Sequence, residues 1–237
     1  MNHIHPTAKV HPAAILEGEV HVGARTVIGP HCVITGPVHI GEGVTLHAFC
    51  VLGAPPEHLS AEGHGAVHVG DRSVLHPFCV VSRGTGARDT RIGADCYLMD
   101  HVHLSHDCSL GDKVVVAQNV VLAGHVRVHT GANLGVGAVF HQRGTVGTYS
   151  MVGMGSVVTK DIPPFVVVSG CPARFMRLHA RGAEKAGIDI AALRVEDDAL
   201  AGEHATLRTA LDHFHADVRD GRRVLSLSPR TSRKSAM

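Results

Sequence analysis

Aliphatic residues recur at every sixth position through most of the first 160 residues. The series runs from Ile4 to Leu52, resumes at Val69 for three hexads, and runs again from Ile92 to Val158. All twenty-four hexads open on an apolar side chain. Such self-similarity at a fixed short period is the signature of a repeat architecture. The pattern therefore predicts a parallel β-helix in which each hexad supplies one short strand, with its first-position side chain facing inward.

The fifth position of each hexad is nearly as regular, because it carries small or β-branched residues that suit a pleated interior. Five of the six cysteines stand there: Cys32, Cys50, Cys79, Cys96 and Cys108. We interpret them as small buried hydrophobes rather than as metal ligands or disulfide partners. Glycine often fills the second position, and we attribute it to the backbone angles of tight corners.

Two breaks in the hexad frame divide the chain. Residues 53–68 and 84–91 are rich in glycine, proline and charge, and are predicted to be loops that leave the β-helix. The β-helix itself is predicted over 1–173 and a helical segment over 174–222. The polar, basic residues 223–237 are expected to be a disordered tail.

The helical prediction depends on apolar residues spaced one or two turns apart within 191–219. They are Leu193, Leu200, Leu207, Leu211 and Phe214.

Composition narrows the functional classes. The chain has no Trp, two Tyr and six Phe, and its formal net charge is +1. Few aromatics suit a thin solenoid interior, and a near-neutral charge does not favour nucleic-acid binding. No apolar run is long enough to span a membrane, and the N-terminus has no signal-peptide character. A cytoplasmic protein is expected.

The hexads resemble those of the left-handed β-helix acyltransferases, and several motifs are similar to the UDP-N-acetylglucosamine O-acyltransferases of lipid A synthesis. They are "IHPTAKVHPAAILEGEVHVG" at 4–23, "RGT" at 83–85, "HLSHDCSLGDKVVVAQNVVLAGHV" at 103–126, "HQ" at 141–142 and "DIPPFVVVSGCPAR" at 161–174. The resemblance implies three hexads per triangular turn, about eight turns, and an all-β solenoid of left hand with a small C-terminal helical segment.

The resemblance also implies residue roles. His106 would be the general base that deprotonates the acceptor, with Asp107 supporting its ring, and imidazole suits that task. Met154 would limit acyl length, because a bulky residue blocks a site where glycine admits a longer chain. The implied substrate contacts are His103, His125, His141, Gln142, Arg83 and Lys185.

The implied reaction moves a short-to-medium (3-hydroxy)acyl group directly from an acyl carrier protein thioester to a nucleotide-sugar hydroxyl or amine. The thioester is a co-substrate, and neither a cofactor nor a metal is expected. The implied assembly is a homotrimer with sites between subunits, in which the polar cluster of one chain faces the Met154 region of another.

An 18-residue turn also predicts geometry from spacing alone. Residues 18 apart stack in columns about 4.8 Å per turn. Asp107 and His125 share one column, while His106, Gly124 and Gln142 share the next. The sequence therefore predicts one polar patch about two turns tall, with Gly124 leaving space beside His106.

Several positions depart from the family pattern and leave the acceptor open. His58 and Ser60 stand where the family has an acidic residue and a lysine, and Ser82 replaces a histidine. Further along, His179 stands for an asparagine, Arg181 for a glutamate and Lys185 for an arginine. Lysine meets phosphate as a point charge without the bidentate fork of arginine.

Two alternatives remain at this stage. One is a coenzyme A-dependent amino-sugar N-acetyltransferase. The other is a zinc enzyme similar to the γ-class carbonic anhydrases, since His101 and His106 have a suitable spacing. Catalytic zinc needs three protein ligands, and no third histidine falls in register with this pair.

Overall fold

The computed structural model describes residues 2–59, 64–86, 88–218 and 224–227. The β-helix begins at once and its strands are two to four residues long. They are β1 (His3–Ile4), β2 (Lys9–Val10), β3 (Ile15–Glu17), β4 (Val20–Val22), β5 (Val27–Ile28), β6 (Val33–Thr35), β7 (Val38–Ile40), β8 (Thr45–Leu46), β9 (Val51–Ala54), β10 (Val67–Val69), β11 (Val74–Leu75), β12 (Val80–Ser82), β13 (Thr90–Ile92), β14 (Tyr97–Leu98), β15 (His103–Leu104), β16 (Ser109–Leu110), β17 (Val115–Val116), β18 (Val121–Leu122), β19 (Arg127–Val128), β20 (Asn133–Leu134), β21 (Val139–Phe140), β22 (Thr145–Val146), β23 (Met151–Val152) and β24 (Val157–Val158).

Successive strands join three different parallel sheets in rotation, so the chain winds around a three-sided prism. Face 1 runs from β1 through every third strand to β22, face 2 from β2 to β23, and face 3 from β3 to β24. Strands one turn apart pair 18 residues apart, as His3 does with His21. The first-position side chains fill the interior and are buried from Ile28 onward.

The two insertions lie at the same edge of the prism. Ile40 pairs with Val69 and Val69 with Ile92, so the two turns are longer than 18 residues. Both loops leave at the corner where the chain passes from face 3 to face 1, between β9 and β10 and between β12 and β13. We call this corner the insertion edge. The same corner recurs after β15, β18 and β21, at residues 105–108, 123–126 and 141–144.

The interior thiols donate hydrogen bonds to backbone carbonyls of the following turn. Cys32 donates to the carbonyl oxygen of His47 at 3.0 Å, and Cys108 donates to that of Ala123 at 3.2 Å. Burial raises the pKa of the Cys108 thiol to about 12. All five cysteines at fifth positions are buried, as predicted, and Cys171 is exposed.

The second-position glycines have a different cause from the one that we inferred. They do not have positive φ; at most corners the left-handed residue is the fourth, as at Arg25 (φ 58°). Glycine is needed because successive turns stack too closely for a side chain. A Cβ on Gly23 would lie 2.5 Å from the backbone of Gly41, and one on Gly70 would lie 2.5 Å from that of Gly93.

The C-terminal segment closes the prism and then folds back along it. It comprises β25 (Val166–Ser169), β26 (Arg174–Leu178), α1 (Ala180–Lys185), a 3-10 turn (Ile190–Ala192), β27 (Arg194–Glu196), β28 (Ala199–Ala201) and α2 (Ala205–Asp217). β25 continues face 2 in parallel with β23, and β26 pairs antiparallel with β25. No helix among the described residues is long and apolar enough to cross a membrane.

Part of the predicted helical segment is a β-hairpin instead. β27 and β28 pair antiparallel, and Asp197 and Asp198 between them adopt φ of 46° and 66°. Aspartate tolerates the left-handed conformation that two-residue hairpin turns require. The helix predicted from the leucine spacing was therefore too long, because the observed helix begins only at Ala205.

Two contacts fix this segment to the β-helix. The carboxylate of Asp217, at the end of α2, accepts hydrogen bonds from Arg127 and His129 on and beside face 1. Residues 224–227 lie within the segment expected to be disordered, yet Leu225 and Leu227 are buried and the Leu225 N–H bonds to Asp161. The other residues of that segment lie outside the described part of the chain.

Candidate active site

The predicted polar cluster assembles on the insertion edge. The His125 N–H donates to the carbonyl of His106, and the Arg143 N–H donates to that of Gly124, each at 2.9 Å. These bonds stack the corner residues of three successive turns and confirm the predicted columns. The second insertion overhangs the same corner and brings Thr85 against the cluster.

His106 and Asp107 form a buried pair, with only 6% and 3% of their surfaces exposed. The His106 Nδ1 atom lies 2.7 Å from Asp107 Oδ2. Because a carboxylate can only accept, we assign the proton to Nδ1, which leaves the lone pair on Nε2. Asp107 stands at the corner with φ 60°, and its N–H donates to the Thr90 hydroxyl at 2.9 Å.

The Asp107 carboxylate has further donors on the second insertion. The Thr85 hydroxyl lies 3.0 Å from Oδ2 and the Thr85 N–H lies 3.2 Å from Oδ1. Burial acts to raise the pKa of Asp107, but hydrogen bonds from His106 and Thr85 outweigh it and hold the pKa below its usual value. The Asp107 carboxylate therefore carries a negative charge directly beside the His106 ring.

Gly124 lies against the face of the His106 ring, over its Nε2–Cε1 bond. A Cβ on Gly124 would lie 2.6 Å from both Nε2 and Cε1 of His106, closer than any real contact. The glycine thus leaves room for the ring itself, whose Nε2 lone pair lies in the ring plane and does not point at Gly124. His125 stands perpendicular to His106 at 5.0 Å between centroids, and its Nδ1 lies 3.7 Å from Asp107 Oδ2.

The first insertion contributes two residues to the same edge. The His58 ring lies edge-on to His106 at 5.5 Å. Glu57 Oε2 accepts hydrogen bonds from His103 Nε2 at 3.0 Å and from the Ser105 hydroxyl at 3.2 Å. The sequence interpretation missed Glu57, because it assigned the acidic position of the motif to His58. Ser60 lies outside the described residues.

Other predicted contacts lie further along this edge. His141 and Gln142 are exposed one turn beyond Gly124, and His141 Nδ1 lies 3.1 Å from the Gln142 carbonyl oxygen. The Arg83 N–H donates to Ala54, while the buried Nε of Arg83 and the hydroxyl of Ser82 have no hydrogen-bond partner among the described residues.

Two predicted residues do not join the cluster within one chain. Met154 follows β23, so it lies at the edge between faces 2 and 3, and 77% of its surface is exposed. Lys185 is the exposed last residue of α1. That helix lies against another corner, where His179 Nδ1 donates to the Tyr149 carbonyl oxygen at 2.7 Å.

The spacing of His101 and His106 does not produce a zinc site. The His101 ring stacks on Phe78 at 4.8 Å between centroids, at a different edge. Among the described residues, the group whose ligand atoms lie close enough to hold a metal is His106, Asp107 and His125, without His101.

Comparisons with known proteins agree with this architecture. Residues 19–54 and 89–124 match the family model described as bacterial transferase hexapeptide (six repeats). The acyl-(acyl-carrier-protein)–UDP-N-acetylglucosamine O-acyltransferase of Herminiimonas arsenicoxydans is 40% identical over 202 residues, covering 79% of this chain and 77% of the relative. The same enzyme of Albidiferax ferrireducens is 39% identical over 128 residues, 53% of this chain. The chain spans 48% of that relative's length and 40% of the one from Thiobacillus denitrificans.

The fold is shared more widely. The UDP-N-acetylglucosamine acyltransferase of Campylobacter jejuni superposes with a TM-score of 0.77 at 23% identity, covering 95% of this chain and all of that one. The predicted left-handed parallel β-helix with a small C-terminal helix is confirmed. The comparisons favour neither the zinc enzyme nor the coenzyme A-dependent N-acetyltransferase.

Proposed function

The chain belongs to the acyl-carrier-protein–UDP-N-acetylglucosamine O-acyltransferase family, and on that premise we propose that it acylates a nucleotide sugar. The acyl donor is the thioester of an acyl carrier protein, and the group moved is a short-to-medium 3-hydroxyacyl chain. The acceptor atom is a sugar hydroxyl or amine, as in the first step of lipid A synthesis or a variant of it. The observation that carries the proposal is the buried pair of His106 and Asp107, in which the carboxylate accepts from Nδ1 and Nε2 keeps its lone pair.

This geometry fits a general base. The acceptor O–H donates to His106 Nε2, the proton passes to the ring, and the oxygen forms a bond to the thioester carbonyl carbon. The carbon–sulfur bond then breaks, and the imidazolium returns the proton to the leaving thiolate. Asp107 holds the Nδ1–H tautomer and stabilises the cationic ring. This is a positioning and electrostatic role.

Transfer is direct in this scheme. The nearest thiol along the chain is Cys108, which is buried, faces the interior and bonds to Ala123. Its pKa of about 12 leaves almost no thiolate at neutral pH. No acyl-enzyme on this cysteine is therefore expected.

The surrounding polar groups suit a hydroxyl-rich, anionic acceptor. Glu57, with His103 and Ser105 bonded to it, offers an acceptor to sugar hydroxyls beside the catalytic pair. Arg83, whose buried Nε lacks a partner among described residues, offers a donor to an anionic group. His125 and Gln142 add further polar side chains to this surface of the insertion edge. Lys185 and Met154 reach the site only from a second copy, so we propose the homotrimer as the active form.

The test is product analysis. Purified protein is incubated with UDP-N-acetylglucosamine and acyl carrier proteins bearing 3-hydroxyacyl chains of several lengths, and products are identified by mass spectrometry. His106→Ala should lower kcat by about 10²–10⁴-fold, the usual contribution of a general base, with the melting temperature nearly unchanged. The matched control is His21→Gln, a face 1 histidine that hydrogen-bonds to Glu19 and stacks in a surface column. Near-normal turnover by His106→Ala would contradict the mechanism.

A further inference from the structure

We propose that His106, Asp107 and His125 also form an inhibitory binding site for a transition-metal ion of the Zn²⁺ type. One ligand atom from each residue lies within 4.8 Å of the others. Two imidazoles and a carboxylate are a donor set that zinc accepts. Ion binding at this site does not depend on the proposed function; only its inhibitory effect does.

The distances suit a four-coordinate ion after a small adjustment. Metal–ligand bonds of about 2.0–2.2 Å at tetrahedral angles separate the ligand atoms by roughly 3.3 Å. Asp107 Oδ2 is now 2.7 Å from His106 Nδ1 and 3.7 Å from His125 Nδ1. His125 is the more exposed of the two histidines, with 19% of its side chain accessible, so it has room to rotate inward. Three protein ligands leave the fourth position to water or to a further ligand.

The residues around Asp107 already orient its carboxylate in the way that a metal ligand requires. The Thr85 hydroxyl and N–H both donate to the Asp107 carboxylate. Hydrogen bonds of this kind orient carboxylate ligands in metal sites, and their loss commonly weakens metal affinity 10–100-fold. Thr85 stands on the second insertion, so the loop that supports the catalytic carboxylate also supports it as a ligand.

Ion binding would stop catalysis by changing which ring nitrogen of His106 carries the proton. A metal on His106 Nδ1 takes the place of the proton that Asp107 accepts. The neutral ring then carries its proton on Nε2, so it no longer has a lone pair for the acceptor O–H. The ion leaves Asp107 and His106 in place, but His106 can no longer act as a general base.

The experiment uses the full-length protein, freed of metal by chelation, and Co²⁺ as a spectroscopic probe for Zn²⁺. Four-coordinate cobalt gives intense visible absorption, which six-coordinate cobalt on surface histidines does not. We expect one such ion per chain. His125→Gln and Asp107→Asn should each weaken its binding at least tenfold, whereas the double variant His21→Gln/His39→Gln should leave the signal unchanged and remove only weak surface binding.

Activity supplies the second readout. Zn²⁺ should inhibit acyl transfer with the same stoichiometry as the cobalt signal, and a chelator should restore it. The site is disproved by the absence of the four-coordinate signal, or by a signal that His125→Gln leaves intact. Metal that raises turnover would overturn both the inhibitory role and the metal-free mechanism. If the metal-free protein transfers no acyl group at all, the proposed function fails, and the cobalt titration still decides the site.

Discussion

At the scale of single residues, the space beside His106 matters as much as the groups bonded to it. Gly124→Ala would bring a methyl group within 2.6 Å of His106 Nε2 and Cε1. The φ of Gly124 is not positive, so the backbone tolerates alanine, and the ring must move instead. We expect kcat to fall at least 100-fold, since misplacement by about 1 Å costs that much.

The control for this substitution is Gly43→Asn, at the edge between faces 1 and 2. Gly43 occupies a fourth corner position with φ 63°, a Cβ there would lie an ordinary 3.7 Å from Arg72 Cγ, and the residue stacks above Arg25, which itself adopts φ 58°. It should keep both activity and melting temperature. If Gly124→Ala retained wild-type kcat, the position of the His106 ring against residue 124 would not be the one that catalysis requires.

Most of this site could be predicted from sequence, because residues 18 apart in the chain lie next to each other on successive turns. The columns of His106 and Asp107 followed from counting alone. Glu57 could not be found in this way, since it stands on an insertion that leaves the repeat, and the register there carries no information. The same holds for Thr85, whose contact with Asp107 depends on the conformation of the second insertion.

At the scale of elements, face 1 carries a stacked column of imidazoles. His3, His21, His39 and His68 stack ring on ring, with centroids 4.6–4.8 Å apart. Burial, and then the charges of His68 and His21 when protonated, lower the pKa of His39 below its ordinary value. The position of His39 in the column therefore favours its neutral form.

The pH dependence follows from the sign of that shift. Glu19 and Asp89 beside the column act to raise the pKa of His39, but they do not outweigh the lowering causes. The unfolded chain binds a proton on this residue at a higher pH, near 6.5. The contribution of His39 to stability is therefore complete above that pH and is lost as the pH falls toward the lowered folded value.

We expect the melting temperature to fall between pH 7.5 and pH 5, and His39→Gln to reduce this fall by up to a few degrees, as about 1 kcal/mol corresponds to 2–4 °C here. His11→Gln, which changes a histidine outside the column, is the control. Thermal unfolding across the pH series measures both. An identical pH profile for His39→Gln and wild type would show that the column does not sense protons.

The C-terminal elements show where periodicity fails. Leu193 and Leu200 fit a helical spacing, but Leu193 follows the 3-10 turn directly before β27, and Leu200 lies on β28. Two or three leucines at that spacing are compatible with both structures, and the deciding signal was the Asp197–Asp198 pair with its left-handed turn. The 13 residues of α2 were predicted correctly, since Leu207 and Phe214 are buried on one side of a helix.

At the scale of the whole molecule, the fold places His106 and Met154, which the proposed reaction must bring together, at different edges of one chain. The left hand of the β-helix could not follow from the hexads, because an 18-residue turn fits either hand; it came from the family resemblance. The position of Met154 has a further consequence. It lies at the edge between faces 2 and 3, whereas His106 lies at the insertion edge. The proposed role of Met154 in limiting acyl length therefore predicts that the acyl chain contacts the Met154 of a neighbouring subunit.

Mixed oligomers test this arrangement directly. Wild-type protein has the base but not the space for a long acyl chain, and the double variant His106→Ala/Met154→Gly has the space but not the base. Neither alone should transfer a long chain, because each excluded methylene costs roughly tenfold or more. Co-expressed, they should form trimers in which an intact His106 faces the Met154→Gly position of the next chain, and long-chain product should appear. The single variant Met154→Gly gives the full long-chain rate for comparison. Mixed trimers that make no long-chain product, beside an active Met154→Gly, would place the acyl chain against the Met154 of the same subunit.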